Sequence, residues 1–259
     1  MFKIIYFMWR RADMSCADFA HYYEDKHTHN NARIRPASKD YRRNYPLPDS
    51  PLSDRGALAR LGDFDVMSEN SYVDRAGFAV VLDAIRQSPA RELIAEDEAR
   101  FEIRESKRVF VVDERGGLTP DAADYEARAL RNEAKRVKLL RFLTRSSLTP
   151  LAEFRERYET EQVPVIAGLL DGCIDYRRNH ILFDDPMSFA GSHHAPTPAD
   201  ETTFPASLVE EIWFDSEDAA AQGRRRLATL AADPLVVLDA TCLLAVTECR
   251  TPRPQAAAI

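Results

Sequence analysis

An α+β chain in which one β-α-β-β-α-β unit occurs twice is what this sequence predicts, and three observations predict it. The first is self-similarity at a fixed offset. Lys3-Ile4-Ile5-Tyr6-Phe7-Met8 and Lys138-Leu139-Leu140-Arg141-Phe142-Leu143 are short β-type runs led by a lysine, 135 residues apart. At the same offset Phe19 falls on Phe154, Tyr23 on Tyr158 and Glu24 on Glu159, and Asp40-Tyr41-Arg42-Arg43-Asn44 falls on Asp175-Tyr176-Arg177-Arg178-Asn179 without a gap. A pentapeptide repeats by chance; a register held from the first strand through the second does not, and such repeats dictate architecture. The second observation is that strand-like and helix-like periods alternate in the same order in both copies. The third is size, since 259 residues suffice for two cores.

The elements follow in order. After the first strand, Ser15 with Asp18 three residues on forms a capping box, and Thr149-Pro150 offers a cap with proline at the first helical position. Phe19, Tyr22 and Tyr23, and Phe154 and Tyr158, lie at helical spacing. A second strand carries the Tyr-Arg-Arg-Asn run. The third is expected from Phe64 to Ser68 in copy one and from Leu208 to Phe214 in copy two. Helices follow over about 72–85, with further turns near 91–101, and over 217–230. The last strands are Arg108 to Val112 and Cys242 to Val246. This order is the split ferredoxin-like plan, with helices on one face of an antiparallel sheet. The units span 1–114 and 137–250. Between them, 115–136 begins with Gly116-Gly117 and continues into an Ala/Glu/Arg-rich linking helix, and 251–259 is a tail. Pro46 to Asp63 and Asp184 to Ser207 read as loops.

Composition excludes several functions. With 45% hydrophobic and 30% charged residues the chain is globular, and a net charge of -7 opposes general binding to nucleic acid or anionic membrane. No apolar run is long enough to span a bilayer. The N-terminus is apolar and then basic, the reverse of a secretory signal. Cys16, Cys173, Cys242 and Cys249 form no C-x-x-C pair, as reduced cytoplasmic thiols would.

Alternation in the first strand divides its residues into two faces. Ile5 and Phe7, with Leu140 and Phe142, are all apolar and are expected beneath the helices. Ile4, Tyr6 and Met8, with Leu139, Arg141 and Leu143, form the other face. Tyr6 and Arg141 then line a shared interior of mixed polarity, the character of a ligand site, or hydrogen-bond each other across it. On the second strand Arg42 and Asn44, like Arg177 and Asn179, share one face, with Tyr41 and Arg43 on the other. Duplicated Arg plus Asn binds and polarises a carbonyl, phenolate or carboxylate; an exposed strand pairing with acidic neighbours is the competing account. On the third strand Asp65 aligns with Glu211 if the preceding connection is longer in copy two, giving a general base, the partner that orients His27, or a surface ion pair.

The sequence resembles the EthD family of the dimeric α+β barrel superfamily. The residues that carry the likeness are Asp18-Phe19-Ala20-His21-Tyr22-Tyr23-Glu24-Asp25-Lys26-His27, Tyr41-Arg42-Arg43-Asn44, the stretch from Ser88-Pro89 through Phe101 to Val109-Phe110-Val111-Val112-Asp113-Glu114, and Glu211-Ile212-Trp213-Phe214-Asp215-Ser216. The resemblance covers both copies. It implies that the two antiparallel sheets pair into an intramolecular barrel, and that the activity is that of a cofactor-independent lyase, dehydratase or isomerase acting on a small aromatic or polyketide-like compound. It also marks His27, at the end of the first helix, as the position where such sequences carry histidine. Imidazole titrates near neutrality and serves as acid or base; copy two has Gln162 there, which hydrogen-bonds but moves no proton. Copy one is therefore expected to hold the reactive site, with His27, Asp65 and Tyr6 catalytic. Arg42, Asn44, His29, Arg141, Gln162, Arg177, Asn179 and Glu211 are expected to bind substrate.

No metal is expected, because His21, His27 and His29 do not converge at their spacing, and His193-His194 lies in the long loop. No Gly-rich phosphate loop follows a strand, so no nucleotide cofactor is expected either. The remaining partners are a small-molecule substrate and a second copy of the chain in a homodimer. A non-catalytic small-molecule binding protein and a cofactor-free oxygenase of an electron-rich phenol are the alternative readings.

Overall fold

The computed structural model describes residues 1–30, 39–87, 90–116, 136–191, 196–202, 204–230, 235–237 and 241–251. The first half runs β1 (Phe2–Met8), α1 (Cys16–Tyr22) continuing into a π-helical turn at Tyr23–His27, β2 (Asp40–Pro46), α2 (Ala57–Arg60), β3 (Val66–Tyr72), α3 (Arg75–Gln87), α4 (Ala90–Phe101) and β4 (Arg108–Gly116). The second runs β5 (Val137–Leu143), α5 (Leu151–Arg157), a π-helical turn at Tyr158–Gln162, α6 (Val163–Leu169), β6 (Cys173–Ile181), the short strands β7 (Phe189–Ala190) and β8 (Thr197–Pro198), β9 (Leu208–Phe214), α7 (Glu217–Leu227) and β10 (Cys242–Thr251). Most of the expected linker, residues 117–135, His193-His194 and the tail beyond 251 lie outside the described residues.

Each half forms a four-stranded antiparallel sheet, β4-β1-β3-β2 and β10-β5-β9-β6, and the two sheets join edge to edge through β2–β10 and β4–β6. Eight strands thus close into an antiparallel barrel with no free edge. The fold is the expected α+β barrel of two ferredoxin-like units within one chain. Ser15 caps α1, its Oγ accepting from the Asp18 backbone N–H at 3.0 Å. In the second half Pro150 itself is the capping residue and the helix begins one residue later, at Leu151.

The barrel interior reverses the expected strand faces. One buried cluster draws on both halves: Ile5, Phe7, Met67 and Phe110 meet Leu140, Phe142, Phe204, Val209 and Leu244. A cluster shared in this way fills the lumen, and Phe7 and Phe204 lie only 4.3 Å apart at its centre. Ile4, Tyr6 and Met8 instead pack beneath the first-half helices against Phe19, Tyr23 and Phe101. Leu139 and Leu143 lie beneath those of the second, with Phe154 and Tyr158. Both faces of β1 and β5 are largely apolar, so alternation separated them without saying which faced inward.

The deciding residues are the lysines. Lys3 and Lys138 share parity with Phe7 and Phe142, and both are 2% exposed. Lys3 Nζ lies 2.6 Å from Glu69, Glu114 and Glu211; Lys138 Nζ lies 3.0 Å from Glu69, 2.6 Å from Glu211 and 2.7 Å from Glu248. Burial works to lower both lysine pKa values, but the facing carboxylates outweigh it and raise them. One end of the lumen is therefore a charged network that ties the halves together, and the rest is an aromatic plug.

Removing one partner of a buried ion network leaves uncompensated charge. Lys138→Met is accordingly expected to lower unfolding free energy by about 3–5 kcal/mol, read from urea denaturation; a loss under about 1 kcal/mol would show that the network is not what holds the barrel closed.

Candidate active site

The chemistry that the sequence placed at the end of the first helix collects between that helix and the sheet. Phe19 and Tyr23, four residues apart on one face, are buried against the core and Phe101. The chain then makes one π-helical turn, a feature frequent at functional sites, and the same turn recurs at Tyr158–Gln162. Each turn is pinned to the second strand of its half. Glu24 accepts from Arg43 Nε at 3.0 Å and from Tyr45 Oη at 2.7 Å, and Glu159 pairs with Arg178 and His180. The turn delivers His27 into the core, its ring 4.7 Å from both Tyr23 and Phe101.

Nδ1 of His27 lies 2.8 Å from Asp97 Oδ2, with the two side chains 5% and 7% exposed. The other Asp97 oxygen accepts from Tyr22 Oη at 2.8 Å and from Asn30 Nδ2 at 3.3 Å. Burial lowers the His27 pKa below its ordinary value, and the Asp97 hydrogen bond offsets this only in part. For Asp97 burial acts upward, but the hydrogen bonds from His27 and Tyr22 outweigh it and hold the carboxyl below its ordinary range. The result at neutral pH is a neutral imidazole oriented by a carboxylate. Nδ1 is the ring nitrogen that Asp97 engages.

A narrow cleft borders the ring, enclosing about 250 Å³ with its open mouth included. It is lined by Tyr6, Met8, Tyr41, Ser68 and Asn70 from the sheet, by Tyr23, His27 and Glu98 from the helices, and by Lys107. Its enclosed part has room for about one water. Tyr41 Oη donates to Tyr23 Oη at 3.1 Å. Burial raises the Tyr23 pKa, so it remains a neutral donor. Lys107 Nζ binds Glu98 at 3.1 Å and Glu102 at 2.6 Å. Burial pushes the Glu102 carboxyl up to about 7 despite the lysine.

Of the residues anticipated from sequence, His27 and Tyr6 meet in this cleft, Tyr6 from beneath the helices rather than from the lumen. Asp65 does not orient His27. It accepts from the Arg10 backbone N–H at 2.8 Å and pairs with Arg10 Nε at 3.1 Å, and burial raises its carboxyl. Nor does Asp65 correspond to Glu211. Met8 faces Val66 as Leu143 faces Leu208, so Glu69 corresponds to Glu211 and Ser68 to Glu210. Arg42, Asn44, Arg177, Asn179 and Glu211 lie in the lumen network. Asn44 donates to Glu69 at 2.6 Å and Asn179 to Glu211 at 2.7 Å, while Arg42 and Arg177 stack on Trp213 at 5.3 and 5.5 Å. His29 is exposed, Gln162 is half-buried in the second half, and His21 pairs with Asp25 at the surface. Sequence reasoning missed Asp97, Glu98, Lys107 and Ser68. Asp97 sits in the acidic run Glu96-Asp97-Glu98, where nothing local singles it out; the signal was that α4 has no counterpart among the described residues of the second half.

Arg141 belongs to the corresponding gap of the second half, which is filled. Glu210 is fully buried there and accepts from Tyr158 Oη at 2.6 Å, from Tyr176 Oη, and from Arg141 Nη1 at 3.0 Å.

The depressed His27 pKa makes a signed prediction. The folded state resists protonating this ring, so its contribution to stability is complete above pH 6.5, the ordinary histidine value, and is lost as pH falls below it. NMR titration of the His27 ring should give a midpoint under 6.5, and His27→Gln should flatten the stability slope below that pH. A midpoint above 6.5 would overturn the neutral-imidazole assignment.

No family model and no curated protein sequence matches the chain. Solved structures do. A Lactobacillus acidophilus protein provisionally named a monooxygenase superimposes over 97% of this chain and 96% of its own, with 8% identity and a TM-score of 0.50. A protein provisionally named a chlorite dismutase, TA0507, covers 95% of this chain and 94% of its own, with 10% identity and a TM-score of 0.47. No helix among the described residues is long and apolar enough to cross a membrane. What the chain shares with the first of these proteins, over nearly its whole length, is the α+β barrel fold.

Proposed function

We propose that the chain is a cofactor-independent enzyme of the lyase, dehydratase or isomerase kind, a tandem two-copy member of the EthD group, acting on a small aromatic or polyketide-like compound whose reacting end enters the first-half cleft from its open mouth. The observation that carries this reading is the His27–Asp97 dyad, buried, hydrogen-bonded at 2.8 Å and bordering the cleft. In the proposed reaction Nε2 of His27 takes a proton from carbon beside a carbonyl, and the electron pair moves onto the carbonyl oxygen. Asp97 stabilises the imidazolium that forms. Tyr6, on the cleft wall, is the donor for the oxyanion that develops there. Return of the proton to a β-leaving hydroxyl releases water; return to a different carbon isomerises the substrate. Asp97 takes the orienting role that Asp65 was expected to fill.

General-base catalysis of this kind contributes about 10²–10⁴-fold. Deuterium exchange into a panel of small aromatic β-hydroxy- and β-dicarbonyl compounds, followed by NMR in anaerobic D₂O, should therefore fall about 10²–10⁴-fold in His27→Gln and by a smaller factor in Asp97→Asn. Exchange unchanged in His27→Gln would remove the residue from the mechanism. Turnover that requires oxygen would favour the oxygenase reading instead.

A further inference from the structure

The two halves differ at two corresponding strand positions beneath their helices. The two sheets hold corresponding positions in the same register: Tyr6 faces Ser68 across β1 and β3, and Arg141 faces Glu210 across β5 and β9. The tyrosines over these positions are paired likewise, Tyr23 with Tyr158 on the π turns and Tyr41 with Tyr176 on the second strands. In the second half both hydroxyls converge on one oxygen of Glu210, and Arg141 takes the other. In the first half the same two hydroxyls lie 3.1 Å apart, but the strand position beneath them is Ser68. Serine lacks the methylene and carboxylate of glutamate, and the cleft lined by Tyr6, Tyr23, Tyr41 and Ser68 opens at that place.

We propose that the first-half cleft binds a small molecule through a carboxylate seated where the Glu210 carboxylate sits in the second half. This names the substrate class for the active site proposed above and rests on that site being the reactive one. Burial raises the pKa of Tyr23 as it does those of Tyr158 and Tyr176, so all three hydroxyls stay protonated and donate. The first half has Tyr6 where the second has Arg141; a cation also stands on the cleft wall, Lys107, paired with Glu98 on that same wall and with Glu102. A carboxylate offers only acceptors to the tyrosine hydroxyls, whereas the NH₂ of an amide would face hydroxyl hydrogens; Glu98, the acceptor on the same wall, is engaged by Lys107. The clamp therefore selects an acid over its amide.

The test is binding, measured on the full chain apart from turnover. Propionate and benzoate, titrated against the protein, should shift His27 and tyrosine ring resonances saturably, while propionamide and benzamide should bind at least tenfold more weakly. Ser68→Glu should abolish carboxylate binding; if that variant does not fold, Tyr6→Arg/Ser68→Glu restores the complete second-half arrangement and should fold without binding. Conversely, Glu210→Ser should lower Tm, and acetate but not acetamide should restore it in a concentration-dependent way. No saturable shift with either acid, equal binding of the amides, or unaffected binding in both Ser68 variants would overturn the proposal. Carboxylate binding without any exchange chemistry would sink the catalytic reading alone. Exchange on neutral substrates with no carboxylate binding would sink this one alone.

Discussion

The structure depends on how the closed barrel disposes of two lysines. Antiparallel closure leaves no strand edge, and it commits every inward position to a space shared by both sheets. Lys3 and Lys138 occupy two of those positions. An ammonium buried alone is prohibitively costly, so the surrounding strands must present carboxylates, which they do with Glu69, Glu114, Glu211 and Glu248. Glu69 and Glu211 each reach the lysine of the other half, so the network closes only when both halves are docked. Asn44 and Asn179 hold those two glutamates from the side. With this network at one end and Phe7, Phe142 and Phe204 packed behind it, the lumen is a core. The cleft beside His27 lies instead on the outer face of the sheet, under the helices.

How much of this the sequence disclosed follows from where its signals were strong. Lysine-led strands, the capping box at Ser15 and the gapless run from Asp40 to Asn44 carried the duplicated element order, and the resemblance to the EthD family carried the pairing of the two sheets into a barrel. The orientation of the first strand was not legible. Ile4, Tyr6 and Met8 are about as apolar as Ile5 and Phe7, and the usual rule that charge points outward fails when Lys3 has carboxylates from the facing sheet to meet it. No single-strand pattern contains that fact. The third strand was placed too early for a related reason. Val66-Met67-Ser68-Glu69-Asn70-Ser71-Tyr72 has little apolar alternation, because its inward positions include a carboxylate and a serine. Aligning Asp65 with Glu211 followed from that slip.

His27 was legible and its partner was not. A histidine at a helix end has a position that can be compared between copies, and Gln162 at the matching place exposed the asymmetry. Asp97 arrives from α4, seventy residues downstream by number, through packing of Phe101 against Tyr22, Tyr23 and His27. The π turn shapes this contact as much as the helix does, since Thr28 N–H reaches back to Tyr23 O across one extra residue. Burial among aromatic rings then depresses the imidazole, and the Asp97 hydrogen bond keeps its tautomer defined. Both effects need α4 in place.

The differences between the halves are physically coupled. A glutamate at the Ser68 position would bury a charge beneath the helices, tolerable only with a cation opposite, and Arg141 is that cation where the first half has Tyr6. In the second half Arg141, Glu210, Tyr158 and Tyr176 satisfy one another, and the turn carries Gln162 in place of a titratable ring. The converse holds in the first half. Ser68 is the shorter side chain beneath Tyr23 and Tyr41, whose hydroxyls bond each other at 3.1 Å, and the cleft there is bordered by His27 with Asp97 behind it. Reversing one of these positions alone leaves either a buried unpaired charge or a cavity, both destabilising by more than the stability a single surface change can restore. The halves are therefore held in two distinct, self-consistent states, one filled by its own Glu210 carboxylate and one with a cleft at the corresponding place.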